Sequence, residues 1–343
     1  MITGIRIVLR RGCIVLGLLL LWALGSEVRA ADRPVPPGMV WVPGGEFIMG
    51  SDAEHAHPNE RPAHRIKVSA FWMDEHPVTN AQFAEFVRAT GYITTAERIP
   101  DWEELKKQLP EGTERPAPEL LQPGSLVFTP PSHPVDLRDM SGWWSWTVGA
   151  SWKHPQGPHS SIEGKDLYPV VQLSWDDANE YAKWAGKRLP TESEWEYAAW
   201  GGARGTRYYW GNTLQVQGRY MANTFTGTFP HRDSGADGYY RSAPVKSFPP
   251  NGFGLFDMAG NVWQWTSDYY RADAHGYRAK GSEPPAGCHD PTREVPNVEE
   301  RVIKGGSFLC SPSYCESYRP SARRGTPPDT GSEHVGFRCA MNP

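Results

Sequence analysis

The sequence predicts an α+β fold of two or three helices, many short strands and long ordered loops. Three observations carry this. The 343 residues include 35 glycines and 32 prolines, which punctuate regular structure and keep its elements short. Fifteen tryptophans and a hydrophobic content of 39% mean that the loops pack on a core instead of remaining disordered. Helical cap-and-face patterns occur at few places, and there is neither a fixed-period repeat nor a low-complexity run.

The N-terminus reads as a secretory signal over residues 1–30. Arg6, Arg10 and Arg11 form a basic segment, Cys13 to Gly25 an uncharged apolar one, and Val28-Arg29-Ala30 places small residues where a signal peptidase cuts. The apolar run is shorter than the roughly 20 residues of a membrane span, so an uncleaved anchor is the weaker alternative. Arg10-Arg11 lacks a twin-arginine context, and Cys13 precedes the apolar run, unlike a lipoprotein cysteine. The mature chain, residues 31–343, is expected to be exported to a periplasmic, extracellular or secretory-lumen compartment where thiols can stay oxidised.

In that mature chain, Met39 to Gly50 reads as strand, turn and strand, and His64 to Met73 alternates like another strand. Thr79 caps a helix with Phe83, Phe86 and Val87 on one face. Thr94 to Pro134 is a charged, proline-rich surface excursion with a helical patch from Trp102 to Leu109. Ser174-Trp175-Asp176-Asp177 opens a helix bearing Ala178, Tyr181, Ala182 and Ala185, closed by Gly186 and Pro190. Thr191-Glu192-Ser193-Glu194 opens the next, through Trp195, Ala198 and Ala199. From Gly201 onward only turns and short strands are expected.

The length allows a large core or two ordinary domains. A net charge of -4 and a pI near 6.3 give no electrostatic case for nucleic acid or an anionic membrane surface.

The densest chemistry lies in Gly305-Gly306-Ser307-Phe308-Leu309-Cys310-Ser311-Pro312-Ser313-Tyr314-Cys315, which holds two of five cysteines. Four intervening residues do not make the CxxC of a dithiol oxidoreductase. Structural zinc would need further N or S ligands, and no second close cysteine pair supplies them. Two close thiolates suit a soft monovalent ion such as Cu(I); in an exported protein they equally suit an ordinary disulfide.

Several stretches together resemble the formylglycine-generating enzyme, or sulfatase-modifying factor, family. They are Val40-Trp41-Val42-Pro43-Gly44-Gly45, Phe71-Trp72-Met73-Asp74, Gly149-Ala150-Ser151-Trp152-Lys153-His154-Pro155, Trp184 to Glu192, Asn251-Gly252-Phe253-Gly254-Leu255, Gly260-Asn261-Val262-Trp263 and Gly336-Phe337-Arg338-Cys339. They keep family order across nearly the whole mature chain. The resemblance implies one large domain poor in regular structure, related to the C-type lectin fold. It also implies copper- and O2-dependent oxidation, with an external reductant, of the cysteine in a Cys-x-Pro-x-Arg segment of an unfolded sulfatase to Cα-formylglycine. The family includes members without this chemistry, so a non-catalytic protein- or glycan-binding module is the rival expectation.

By the same resemblance, Cys310 and Cys315 match the catalytic, copper-holding pair, and the substrate cysteine joins them as a third sulfur. Ser307 and Tyr314 flank the pair, where they can order oxygen or water; the plainer roles are a turn for Ser307 and packing for Tyr314. Trp263 matches a tryptophan that walls the site, or is simply core. Of Trp143, Trp144, Trp146 and Trp152, no more than one or two are expected to touch the peptide, core packing being the commoner fate of tryptophan. Asn223 and Asp237, with the carbonyls of Thr224 and Tyr239, match a calcium site of ordinary hard oxygen donors. Asp257 and Gln264, with the carbonyls of Gly260 and Val262, match a second calcium site in which carboxylate and amide have changed places. His334 replaces a common cleft asparagine. Cys339 matches half of a family disulfide whose other half is Ala182 here. Cys288 and Cys339, the remaining pair, are expected to be bridged in the exported protein, at about 4 kcal/mol in the chain-entropy account.

Overall fold

The structure, a computed structural model, describes residue 1 and residues 35–292 and 298–343. The expected secretory signal and Cys13 lie outside the described residues. β1 (Met39–Val42) and β2 (Gly45–Met49) are the predicted strand pair. They do not pair with each other. β2 pairs antiparallel with β3 (His64–Val68), while β1 pairs with β4 (Phe71–Asp74).

Local chemistry starts the helices where the sequence places them. In α1 (Asn80–Thr90) the Thr79 hydroxyl accepts from the amide of Gln82, whose side chain accepts from the Thr79 amide. Such a cap stabilises by about 1 kcal/mol. Phe83 and Phe86 are buried, and Gly91, at φ 68°, ends the helix. The expected surface excursion holds the one-turn α2 (Trp102–Leu105) and then β5 (Gly124–Phe128), which is mostly buried, contrary to that expectation, and pairs with β6 (Trp144–Val148) beyond it. α3 (Trp175–Trp184) and α4 (Glu192–Trp200) open with reciprocal caps, Ser174 with Asp177 and Thr191 with Glu194.

Beyond Gly201 the structure differs from expectation. The two-residue strands β7 (Gln215–Val216), β8 (Arg219–Tyr220), β9 (Gly227–Thr228) and β10 (Arg232–Asp233) form two small ribbons, as foreseen. A seven-residue strand then appears, β11 (Trp263–Tyr269), followed by a six-residue helix, α5 (Ala274–Ala279). With β12 (Arg301–Lys304), β13 (Arg323–Thr326) and β14 (Val335–Gly336), β11 makes a four-stranded sheet of order β13-β12-β11-β14. β15 (Ala340–Met341) adds to β4 to complete the sheet β1-β4-β15. α5 has no side-chain cap and contains Gly276, so the signals that reveal helices are missing. β12 is buried along its whole length, which erases the alternation that marks a half-buried strand.

Charged side chains fasten this sheet to α4. Glu192 and Glu196, one turn apart, receive Arg323 from β13 at 2.5 Å and Lys304 from β12 at 2.8 Å, all four side chains fully buried. Removing one partner from such a pair costs about 3–5 kcal/mol, because the other charge is stranded.

Candidate active site

The cysteine loop leaves the end of β12 through Gly305 and Gly306, both left-handed at φ 96° and 67°. A Cβ on Gly306 would lie 2.7 Å from the amide nitrogen of Tyr318. The close approach and the turn both require glycine there. Past the turn, the amide of Phe308 donates to Asn261 O at 2.9 Å and that of Cys310 to Ser307 O at 2.9 Å. Phe225 N donates to Cys310 O at 3.0 Å. The amides of Tyr314, Cys315 and Glu316 all converge on Ser311 O, at 3.2, 3.2 and 3.0 Å. Closure of this loop faces Cys310 and Cys315 toward each other, Cα atoms 5.4 Å apart and sulfurs joined. Cys310 is buried and Cys315 half-buried, so the pair has one side toward the core and one within reach of a ligand.

Around the pair the structure gathers aromatic rings. Tyr314 stacks on Phe229 at 4.3 Å and meets the edge of Trp143 at 5.7 Å. Phe128, Phe225, Phe308 and Leu309 complete this apolar cluster. Trp263 is buried in the same core cluster as Cys310, with Cys315 packed against it. Ser307 is fully buried, and its hydroxyl oxygen accepts from Leu309 N at 3.2 Å, the turn role expected as the plainer alternative. Trp143 and Trp152 are core residues, leaving Trp144 and the more exposed Trp146 as aromatic surface. Trp144 lies over His334 with ring centres 4.7 Å apart. Burial, then the charge of Arg324, lowers the pKa of His334 to about 3 and keeps it neutral.

The residues of the first expected calcium site are buried or partly buried and carry oxygen donors. Asn223 is buried, its amide nitrogen donates to Arg241 O at 2.9 Å, and its side-chain oxygen is buried with no partner. Asp237 accepts from the amides of Thr224 at 2.7 Å and Tyr239 at 3.0 Å. Burial nevertheless pushes its pKa up to about 6, because the two amides only partly offset desolvation. An orphaned amide oxygen, and a burial-disfavoured carboxylate tied to the amide of the next residue, Thr224, are oxygen donors of the kind that fit a hard cation.

The second expected site does not fit through Gln264. The side-chain oxygen of Gln264 accepts from Trp195 Nε1 at 2.9 Å and Arg338 Nε at 2.6 Å, which fills both lone pairs. Its amide nitrogen donates to Asp257 O at 2.7 Å. Arg338 Nη2 also donates to Phe256 O at 2.6 Å and Asp257 O at 3.1 Å. Among these oxygens the cation is the guanidinium of Arg338, which leaves the Gln264 oxygen no lone pair for an ion. Asp257 is buried and accepts from Lys246 N at 2.9 Å, whereas Gly260 and Val262 remain backbone positions beside it.

The expected Cys288–Cys339 bridge is also absent: both thiols are free. Cys339 is buried in the core with Tyr181 and Phe337, while Cys288 is bound to the backbone of Glu300, accepting from its amide at 3.1 Å. Sequence reasoning further missed the Arg338–Gln264 hub and the buried pairs on α4. Glu192 and Glu196, four apart around buried Trp195, were the available signal for the latter.

A cavity of about 780 Å³ lies elsewhere, lined by Phe47, Tyr197, Trp200, Arg204 and Arg207 among others. It includes neither cysteine, and one of its lining residues, Arg207, pairs with Glu316 in their loop.

Residues 26–343 match the family model described as "Sulfatase-modifying factor enzyme 1-like domain". The "Formylglycine-generating enzyme" of Mycobacterium tuberculosis is 47% identical over 309 residues, covering 89% of this chain and 98% of that protein. The mouse "Inactive C-alpha-formylglycine-generating enzyme 2" is 37% identical, covering 95% and 92%. Among solved structures, that of PvdO from Pseudomonas aeruginosa superposes with a TM-score of 0.56 at 24% identity, over 89% of this chain and 94% of that one; it shares the fold.

Proposed function

The chain belongs to the sulfatase-modifying factor family, and on that premise we propose that it is a formylglycine-generating enzyme that activates sulfatases. The observation that carries the proposal is the juxtaposition of Cys310 and Cys315, one sulfur buried and the other reachable, beside an aromatic wall. In the reduced protein these two thiolates would hold copper, a soft ligand set for a soft ion. Copper there would supply the activation of O2 that oxidises the cysteine of a Cys-x-Pro-x-Arg segment, with an external reductant. Overall, the substrate's thiol-bearing carbon becomes an aldehyde, and sulfide and water leave.

The chain's own residues do the positioning. Trp143, Phe229 and Tyr314 keep bulk water from one side of the pair, and Trp263 closes the core side. Trp144 and Trp146 offer apolar surface to an extended peptide. His334, neutral beneath Trp144, replaces a cleft amide without adding charge. Asn223 and Asp237, with the carbonyls of Thr224 and Tyr239, would hold one calcium and brace the loop bearing Phe225, whose amide donates to Cys310 O. The proposed setting is an exported compartment, where a sulfatase is met before folding hides its cysteine.

The test is direct. Purified protein, supplied with copper and a reductant, should convert a Cys-x-Pro-x-Arg peptide to its aldehyde while consuming oxygen. A folded, unmodified sulfatase should be refused. One observation favours the binding-module reading: the structure joins Cys310 and Cys315 as a disulfide. Peptide binding with neither oxygen uptake nor aldehyde, in protein shown to carry copper, would establish that reading instead.

A further inference from the structure

The residue after Cys315 is built in an unusual way. Glu316 has φ 39°, in the left-handed region that a non-glycine residue enters at a cost of about 1–2 kcal/mol. Such a conformation persists only where its surroundings hold it. Here two side chains from one neighbouring loop do so. Tyr208, itself buried, donates its hydroxyl to one carboxylate oxygen of Glu316 at 2.7 Å, and Arg207 Nη2 donates to the other. The Glu316 side chain is 14% exposed, so this is a shielded, two-donor clamp and not a loose surface pair.

The clamp acts on the reacting loop. Glu316 N donates to Ser311 O, the carbonyl that also receives the Cys315 amide, so the backbone turn at Glu316 closes the ring of residues carrying both cysteines. The peptide plane between Cys315 and Glu316 is held from its other side. Cys315 O lies 3.2 Å from His57 Nε2 and accepts from the Ser317 hydroxyl at 2.9 Å. If Glu316 relaxed to negative φ, that plane would rotate, these contacts would break and Cys315 would swing relative to Cys310. Cys310 has no such freedom, because its carbonyl and amide are tied to Phe225 and Ser307 inside the core.

We infer that Glu316 is a positioning residue: its left-handed backbone, held by Arg207 and Tyr208, aims the Cys315 sulfur at Cys310. The inference rests on the assignment of these cysteines as the reacting pair. The same clamp gives a route by which the neighbouring cavity bears on the site, since Arg207 lines that cavity and grips Glu316.

Two substitutions separate this role from that of a simple ion pair. Glu316→Ala and Glu316→Gly both delete the carboxylate, but only glycine adopts positive φ without steric cost. The first readout needs neither copper nor substrate. The fraction of Cys310–Cys315 present as disulfide is measured across glutathione buffers, with free thiols counted by alkylation and mass. It reports how well the fold holds the two sulfurs together. Glu316→Ala should shift the equilibrium toward the dithiol at least fivefold, and Glu316→Gly by no more than about twofold. Melting temperatures establish that both variants are folded. Aldehyde formation from the peptide, measured in parallel, should fall further in the alanine variant, with kcat more affected than KM. An alanine variant within twofold of wild type in the thiol equilibrium, or a glycine variant shifted as far as alanine, would overturn the inference. A wild type that forms no aldehyde while the thiol equilibria keep the stated order would remove the catalytic reading and leave the positioning role standing.

Discussion

Arg338 Nε donates to the side-chain oxygen of Gln264 across 2.6 Å, in a part of the core where neither residue is exposed to solvent. Burial lowers the pKa of Arg338 to about 10, partly restored by the charges of Asp257 and Asp74, so it remains cationic at neutral pH. A fixed guanidinium thus takes up the Gln264 oxygen that a second divalent ion was expected to use. Metal analysis of the purified protein should find one tightly held calcium per chain. Arg338→Met should lower stability by at least about 3 kcal/mol, because it strands several buried carbonyl oxygens. A urea midpoint unchanged from wild type would contradict that account.

Cys310→Ser and Cys315→Ser should each abolish aldehyde formation while leaving the melting temperature within a few degrees and the calcium content unchanged. A single remaining thiolate cannot reproduce a two-sulfur site. Turnover close to wild type in either variant, with copper supplied, would refute the proposed chemistry.

Chelation should destabilise the protein through Asn223 and Asp237. A ligand present at a hundred times its dissociation constant adds about 2.7 kcal/mol to native stability, so wild type should melt several degrees lower in chelator. Asp237→Ala should melt low in calcium and lose most of the chelator response. Identical wild-type melting with and without chelator, together with no bound calcium, would remove this site.

His275 makes stability depend on pH. It is fully buried beside Arg323, Glu192, Lys304 and His64, and both its ring nitrogens lack partners. Burial, then the charge of Arg323, lowers its pKa to about 3, against about 6.5 in an unfolded chain. Above pH ~6.5 the imidazole is neutral in both states and its contribution is intact. As pH falls from there toward 3, the unfolded chain takes up a proton that the native state refuses, and stability is lost. Between pH 7 and 5 wild type should lose about 2 kcal/mol more than His275→Gln in urea titrations. Equal losses would show that His275 is not the group responsible.

What the sequence determined by itself was local. Thr79 with Gln82, Ser174 with Asp177 and Thr191 with Glu194 start helices because cap and third residue satisfy each other's backbone within one turn. Cys310 and Cys315 meet because one short loop carries both. Glycine and proline content set the short elements and long loops. Only the tertiary structure decided the rest, through partners far apart in the chain. β11 pairs with β12 across an intervening helix, Gln264 is filled by an arginine 74 positions away, and Glu316 is held by one 109 positions away. Cys288 and Cys339 stay apart because each is held in its own neighbourhood, one against the Glu300 backbone and the other in the core. A sequence names the donors and acceptors that folding must satisfy; which of them meet depends on how the whole chain packs to bury its apolar surface while leaving few polar groups unpaired.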